Sequence, residues 1–304
     1  MRHIRRQLHG PLGDPVHPPT AASLMTRQPR AYWMVLVLSL MASGGPSLVV
    51  ADDASAVIPF KQAHAHNDYL HARPLQDALD QGFGSVEADI FLKGDQLLIG
   101  HEEKDLLPGR TLESLYLDPL RERIRSRKGW VYGPGFHFSL LIDVKTDADE
   151  TYTVLDRTLT RYADILSVTQ NRRFERKAVT IVLSGNRARD LITKQPIRYV
   201  GIDGRPEDLD LQFAAELMPW ISARWGALFT WKGEGPLPAD ERAKLVDLVT
   251  RAHERGQQVR FWATPENELA WKELLSAKVD LINTDNLVGL RKFLISQSLD
   301  SPTP

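Results

Sequence analysis

The chain has 304 residues, a formal net charge of −1 and no cysteine. With 25% charged and 42% hydrophobic residues it has the composition of one large globular domain, and a single α/β barrel commonly runs to about 250 residues. The balanced charge points to neither nucleic acid nor an anionic membrane surface. The missing cysteines exclude disulfides, thiolate nucleophiles, Cys-ligated zinc and a lipid anchor on cysteine.

Residues 1–51 read as an N-terminal extension and a secretory signal. Arg27 and Arg30 form a basic segment after Met25, itself a candidate start, and Met34 to Met41 forms a short apolar core. Gly44, Gly45 and Pro46 interrupt it, and Val49 with Ala51 gives a small-residue cleavage pattern. The apolar run falls short of the roughly 20 residues that span a bilayer. Export to the periplasm or the medium is expected, with a mature domain over 52–304.

That domain alternates strands and helices. Strands are expected over 57–66, 85–92, 139–145, 178–184, 198–202, somewhere in 221–231, 258–263 and 279–283. Helices are expected over 74–81, 112–127, 149–166, 188–193, 207–217, 239–255, 265–277 and 287–294. Leu245, Leu248, Val249 and Ala252 fall at helical spacing, and Gly256 stops that helix. The long connection over 102–138 is a candidate cap over a site. Short apolar strands separated by helices predict a (β/α)8 TIM barrel, whose active site gathers at the C-terminal strand ends. An open doubly wound sheet is the fold alternative, and no G-x-G-x-x-G phrase supports it.

The chemistry concentrates in AHAHNDYLHARPLQDALDQGFGSVEADIFLKGDQLLIGH, from Ala63 to His101. In SVEADIFL, Glu87 and Asp89 share one strand face while Val86, Ala88 and Ile90 share the other. Two carboxylates side by side repel unless a hard cation takes their oxygens, although two solvated carboxylates on an edge strand would show the same alternation. In FSLLIDVK, Asp143 can complete a three-carboxylate cation site and Lys145 can hold a phosphate oxygen as a point charge. A plain Asp–Lys pair at a strand end is the bland reading. His66 and His101 supply imidazoles that titrate near neutral pH, as a base and an acid flanking a phosphate. His64 competes for that role. Arg73 and Arg205 can reach a phosphate or serve as ordinary ion-pair partners. Trp262, near a strand end, can stack on a leaving group such as choline or belong to the core.

The ordered set His66, Asn67, Glu87, Asp89, His101, Asp143 and Lys145 resembles the superfamily of glycerophosphodiester phosphodiesterases, phosphatidylinositol-specific phospholipases C and spider-venom sphingomyelinase D. HNDY with VEADIFL and the following GH resembles most closely the altered inheritance of mitochondria protein six group. VRFWATPE and VDLINTDN look like strands seven and eight of the superfamily. The resemblance runs from about Ala63 to Leu290. It implies that His66 and His101 are catalytic, that Glu87, Asp89 and Asp143 bind one Mg2+ or Ca2+, and that Lys145, Asn67 and Trp262 contact substrate, Asn67 being a metal ligand in the phospholipase C branch. The glycerophosphodiesterase phrases His-Arg-Gly and Glu-Asn-Thr are absent, and Asp143 followed by Lys145 and Thr146 looks like the sphingomyelinase D branch.

The expected function is a metal-dependent phosphoric diester hydrolase acting on glycerophosphodiesters or phospholipid head groups. Its partner is a small-molecule phosphodiester or phospholipid, with transient contact at a membrane surface and no nucleic acid; no phrase fixes the oligomeric state. The alternatives are a non-catalytic barrel that binds a phospholipid or phosphosugar, and a zinc hydrolase resting on the His-x-His of His64 and His66.

Overall fold

The computed structural model describes residues 57–171 and 173–299; the expected signal and extension lie outside them. Eight parallel strands close on themselves. They are β1 (Phe60–Ala65), β2 (Phe83–Lys93), β3 (Phe138–Val144), β4 (Val179–Gly185), β5 (Val200–Gly204), β6 (Trp220–Arg224), β7 (Gln258–Trp262) and β8 (Leu281–Thr284). Each pairs with its successor, and β1 pairs with both β8 and β2, which removes the sheet edge. The expected (β/α)8 barrel is the observed fold.

Strand alternation sorts the core into two compartments. Outward residues such as Val86, Ala88, Ile90, Leu140, Ile142 and Val144 belong to the large cluster shared with the helices. Inward Leu141, Val182, Trp220 and Leu281 form a separate buried plug inside the barrel. A cavity of about 370 Å³ lies below the plug at the strand starts, among Lys61, Ser85, Ser139 and Gln258. A cleft of about 230 Å³ lies at the strand ends, and it alone holds the expected site residues.

Helices form where their termini are satisfied. Asp147 caps the helix Ala148–Thr160 by accepting from Asp149 N and Glu150 N, and Asn267 caps Glu268–Ser276 by accepting from Ala270 N. The helix Ala239–His253 carries Asp240 and Glu241 in its first turn and Arg251 and His253 in its last, complementing the helix dipole.

Three expectations need correction. The helix over 207–217 is only a 3-10 turn, Pro206–Asp210. Asp208 folds back on Arg205 N and pairs with Arg189, while Leu217 O is taken by Ile202 N of β5. The carbonyl end of that segment is thus spent on the barrel rather than on a helix. The connection after β2 starts as a hairpin: Gln96–Ile99 runs antiparallel to an eleven-residue β2. Its expected helix is split into a π turn, Glu113–Leu117, and the α-helix Asp118–Ser126, with Pro119 at the join. Proline brings no N–H and widens the preceding turn. None of residues 102–137 lines the cleft, so this connection does not cap it. Instead Tyr116 donates to Asp68 and Arg110 to Tyr69 O, which buttresses the loop after β1. A small sheet of Val168–Gln170, Arg173–Glu175 and Ile197–Arg198 was not expected.

Candidate active site

Register places the acids. Asp89 of β2 pairs with Asp143 of β3, and Asp143 with Ser184 of β4, so three inward side chains stand at one level. Glu87 lies one inward position below. Ligand oxygens of Glu87, Asp89 and Asp143 all lie within 4.8 Å of one another. Gly185 makes room beside them. It has φ +68°, and a Cβ there would stand 2.1 Å from Asp143 Oδ1.

The three carboxylates share two fixed counter-charges, Arg260 and Lys145. Glu87 Oε2 accepts from Arg260 NH2 at 3.2 Å, with both side chains buried. Burial opposes its ionisation, but the Arg260 guanidinium and its histidine neighbours hold the Glu87 carboxyl well below the usual range. Lys145 Nζ lies 2.9 Å from Asp89 Oδ2 and 3.4 Å from Asp143 Oδ1. Burial and the Glu87 charge still raise Asp89, and burial pushes Asp143 up to about 6. Asp89 Oδ1 is buried with no hydrogen-bond partner. Converging hard oxygen donors, one of them orphaned, fit Mg2+ or Ca2+ better than zinc.

His64 is not the rival it could be on sequence. It is fully buried beneath the cleft, and burial lowers it to about 4. Its Nδ1 lies 2.9 Å from Ser85 Oγ, and its Nε2 lies 3.3 Å from Arg260 NH1 and 3.5 Å from Glu87 Oε2, the tautomer setting which ring nitrogen donates. His64 therefore props Arg260 and Glu87 from below and takes no place in the cleft.

His66 does line the cleft. Its Nδ1 lies 2.9 Å from Asp285 Oδ1. Burial works to lower it, but the Asp285 hydrogen bond and the Glu87 and Asp285 charges prevail, so the imidazole is raised above its usual value. His101 follows the hairpin strand and is about half exposed, with Nδ1 3.0 Å from the Tyr69 hydroxyl and 3.4 Å from Asp89 Oδ2. Tyr69 sits at the centre, also 2.7 Å from Asp89 Oδ2 and 2.8 Å from Asn67 Oδ1, and shares one proton among these acceptors. Asn67 holds the left-handed conformation, φ 47° and ψ 37°, which asparagine tolerates better than most residues.

The far wall comes from β4 to β7. Ser184 and Arg205 both bond the buried Asp203 carboxylate, at 2.9 and 2.8 Å. The Arg205 guanidinium carbon lies 5.2 Å from the Trp262 ring centre, and that of Arg260 5.8 Å. Arg205 is thus both an ion-pair partner and a cleft residue, whereas Arg73 only pairs with Asp77 and Asp80 outside the cleft.

All eight residues singled out from the sequence line this one cleft: His66, Asn67, Glu87, Asp89, His101, Asp143, Lys145 and Trp262. Tyr69, Arg260 and Asp285 complete the network with Arg205, and these three were not assigned roles there. Tyr69 sits in the quoted HNDY phrase. Arg260 stands two before Trp262 and so shares its strand face.

A model of the AIM6-like phosphodiesterase domain matches residues 52–130, the stretch that carries His66 to His101. One of the glycerophosphoryl diester phosphodiesterase family matches 258–287, which carries Arg260, Trp262 and Asp285. Altered inheritance of mitochondria protein 6 of Eremothecium gossypii is 30% identical over 272 residues, covering 76% of this chain and 69% of that protein. Its homolog in Arthroderma benhamiae is 28% identical over 267 residues, covering 78% of this chain and 84% of that one. The crystal structure of a glycerophosphodiester phosphodiesterase from Parabacteroides distasonis aligns with a TM-score of 0.49 at 14% identity, over 79% of this chain and 99% of that one. The chain belongs to the altered inheritance of mitochondria protein 6 family, within the superfamily of glycerophosphodiester phosphodiesterases and phosphatidylinositol-specific phospholipases C.

Proposed function

We propose that the protein is a metal-dependent phosphoric diester hydrolase acting on glycerophosphodiesters or phospholipid head groups. The observation that carries this reading is the juxtaposition, in one cleft, of a three-carboxylate cluster with two histidines and a lysine. Glu87, Asp89 and Asp143 would hold one Mg2+ or Ca2+, which would supply positive charge to the phosphate.

The remaining steps belong to the protein. Asp285 fixes the His66 ring through Nδ1, leaving Nε2 free to take a proton. His66 deprotonates the nucleophile, a neighbouring substrate hydroxyl or water; an internal hydroxyl gains from proximity and gives a cyclic phosphate first. His101, in contact with Tyr69, protonates the leaving oxygen. Lys145 steadies the phosphate beside Asp89. We assign the site to an exported, periplasmic or secreted enzyme on the strength of the signal-like phrase that ends at Ala51. Among the described residues no helix is long and apolar enough to cross a membrane.

The test uses the purified chain, stripped with chelator and given glycerophosphocholine, glycerophosphoglycerol or sphingomyelin with and without Mg2+ or Ca2+, with products followed by phosphorus NMR. Metal-dependent loss of a diester is expected. His66→Ala and His101→Ala each lower turnover by about 10²–10⁴-fold with unchanged melting. A stable, metal-binding protein that turns over no diester would move the reading to the non-catalytic barrel.

A further inference from the structure

The wall opposite the carboxylates is built differently from the rest of the cleft. Trp262 is the aromatic surface on which a choline would stack, since a quaternary ammonium is held by the negative face of an aromatic ring. That surface already has two guanidinium neighbours, Arg205 at 5.2 Å and Arg260 at 5.8 Å from the ring centre. A second cation entering there meets like charge at close range in a partly desolvated cleft.

Arg205 is held rigidly. Its NH1 donates to the Asp203 carboxylate and to Asp203 O and Gly204 O, and its NH2 donates to Ser184 Oγ at 3.3 Å. Asp203 itself is fully buried and also accepts from Ser222. A second guanidinium stands behind the first. Arg187 donates to the same Asp203 carbonyl that Arg205 uses. Arg189, in the same cluster, is neutralised by Asp208. Arg187 has no carboxylate ion-pair partner among the described residues, and it is half-buried. Two guanidiniums, Arg187 and Arg205, thus face one carboxylate, Asp203, and this wall carries surplus positive charge. The Ser184 hydroxyl, at one level with Asp143, offers a further polar contact between the two walls.

Resting on the phosphodiesterase reading above, we infer that the wall of Ser184, Arg205 and Trp262, backed by Arg187, is a head-group subsite that takes a second anionic group. Its ligands are diesters whose head group bears a carboxylate or a phosphate, and head groups ending in a quaternary ammonium are selected against. The scissile phosphate lies toward Lys145 and the carboxylates, and the second anion toward Arg205. The discrimination comes from the guanidiniums rather than from cleft size, because the trimethylammonium group is repelled where a carboxylate is attracted.

The experiment has a binding arm and a turnover arm, both on the full chain. In the first, calorimetry with chelated and with Mg2+-loaded protein compares 3-phosphoglycerate with phosphocholine, which share a phosphate and differ in the sign of the second charge. Tighter binding of 3-phosphoglycerate is expected, by about tenfold or more, the usual effect of one charge-assisted hydrogen bond set against one repulsion. Arg205→Gln removes that preference. Because Arg205 also neutralises the buried Asp203, Arg187→Gln is the second variant; it gives up only a bond to a backbone carbonyl and lowers the preference several-fold. In the second arm, kcat/KM is higher for glycerophosphoinositol 4-phosphate than for glycerophosphocholine, and the ratio collapses in Arg187→Gln. Equal or tighter binding of phosphocholine, binding of neither ligand, or a preference unchanged in both variants overturns the subsite. Failure of every diester to turn over, with the preference for 3-phosphoglycerate intact, would instead overturn the phosphodiesterase reading and leave the subsite standing.

Discussion

Arg260→Met is the most informative single change to the floor of the cleft. Arg260 is buried, pairs with Glu87 at 3.2 Å and donates to His64 at 3.3 Å. Methionine keeps much of the volume and removes the charge. Glu87 is then a buried carboxylate with no cation, and breaking a buried pair from one side costs about 3–5 kcal/mol. For a domain of this size each kcal/mol moves the melting temperature by roughly 2–4 °C, so a fall of roughly 6–20 °C is expected by scanning calorimetry. Two further readings separate this from simple loss of packing. Saturating Mg2+ or Ca2+ should raise the melting temperature more in the variant than in wild type, because the dication replaces the missing charge beside Glu87. The gap should also narrow in acid. Glu87 is held below its usual range, so its contribution is present above the unfolded value of 4.5 and is lost as pH falls through the lower folded value. A variant as stable as wild type, or one whose gap is insensitive to both metal and pH, would refute the assignment of Arg260 as the counter-charge of Glu87.

The remaining expectations are narrower. Asp285→Asn keeps an acceptor oxygen but removes the charge that helps raise His66, so the acid limb of the kcat/KM profile shifts to lower pH while the neutral rate falls; an unmoved limb would detach Asp285 from His66. Gly185→Ala meets Asp143 Oδ1 at 2.1 Å and should abolish the metal-induced thermal shift, whereas Gly94→Ala, at φ +59° with nothing within 4 Å, carries only its backbone strain of about 1–3 kcal/mol and keeps the shift. Burial pushes Asp68 up to about 7, so stability is full below its unfolded value of 3.8 and declines as pH rises through 7. Asp68→Asn should flatten the fall in melting temperature between pH 5 and 8, by an amount on the order of 3 kcal/mol at most.

Much of the site was legible because its residues lie on period-2 strands, where one inward position fixes the next. Glu87, Asp89 and Asp143 could be placed on inward faces from alternation alone, and the register then sets Asp89 beside Asp143. The HNDY phrase was legible as a unit but not in its division of labour. His66 goes to Asp285, Asp68 turns down to Leu75 N and Tyr116, and Tyr69 reaches Asp89. Those partners are 219, 7, 48 and 20 positions away, so no local pattern reveals them. His64 and His66 share a strand face by spacing, yet His64 stays under the floor while β1 ends at Ala65 and His66 turns into the loop. The false helix over 207–217 failed for a similar reason: the competing donor to its backbone carbonyl, Ile202 N, lies on another element.

On the proposed reading, the arrangement of charge predicts that a cation would act on substrate binding as well as on turnover. Three carboxylates face two fixed cations on the floor, Arg260 bonded to Glu87 and Lys145 shared by Asp89 and Asp143. Lys145 is the single cation serving two acids, and Asp143 is the acid that burial pushes up to about 6. The uncompensated charge is therefore negative, on the side where the proposed phosphodiester must sit. A monoanionic diester is repelled by that floor, and at about 4 Å with an effective dielectric near 20 each like charge costs about 4 kcal/mol. A dication held by the same oxygens reverses the sign of the floor while the Arg205 wall stays positive. Stripping the metal should for this reason raise KM as well as lower kcat, whereas a purely catalytic cation would leave substrate affinity unchanged.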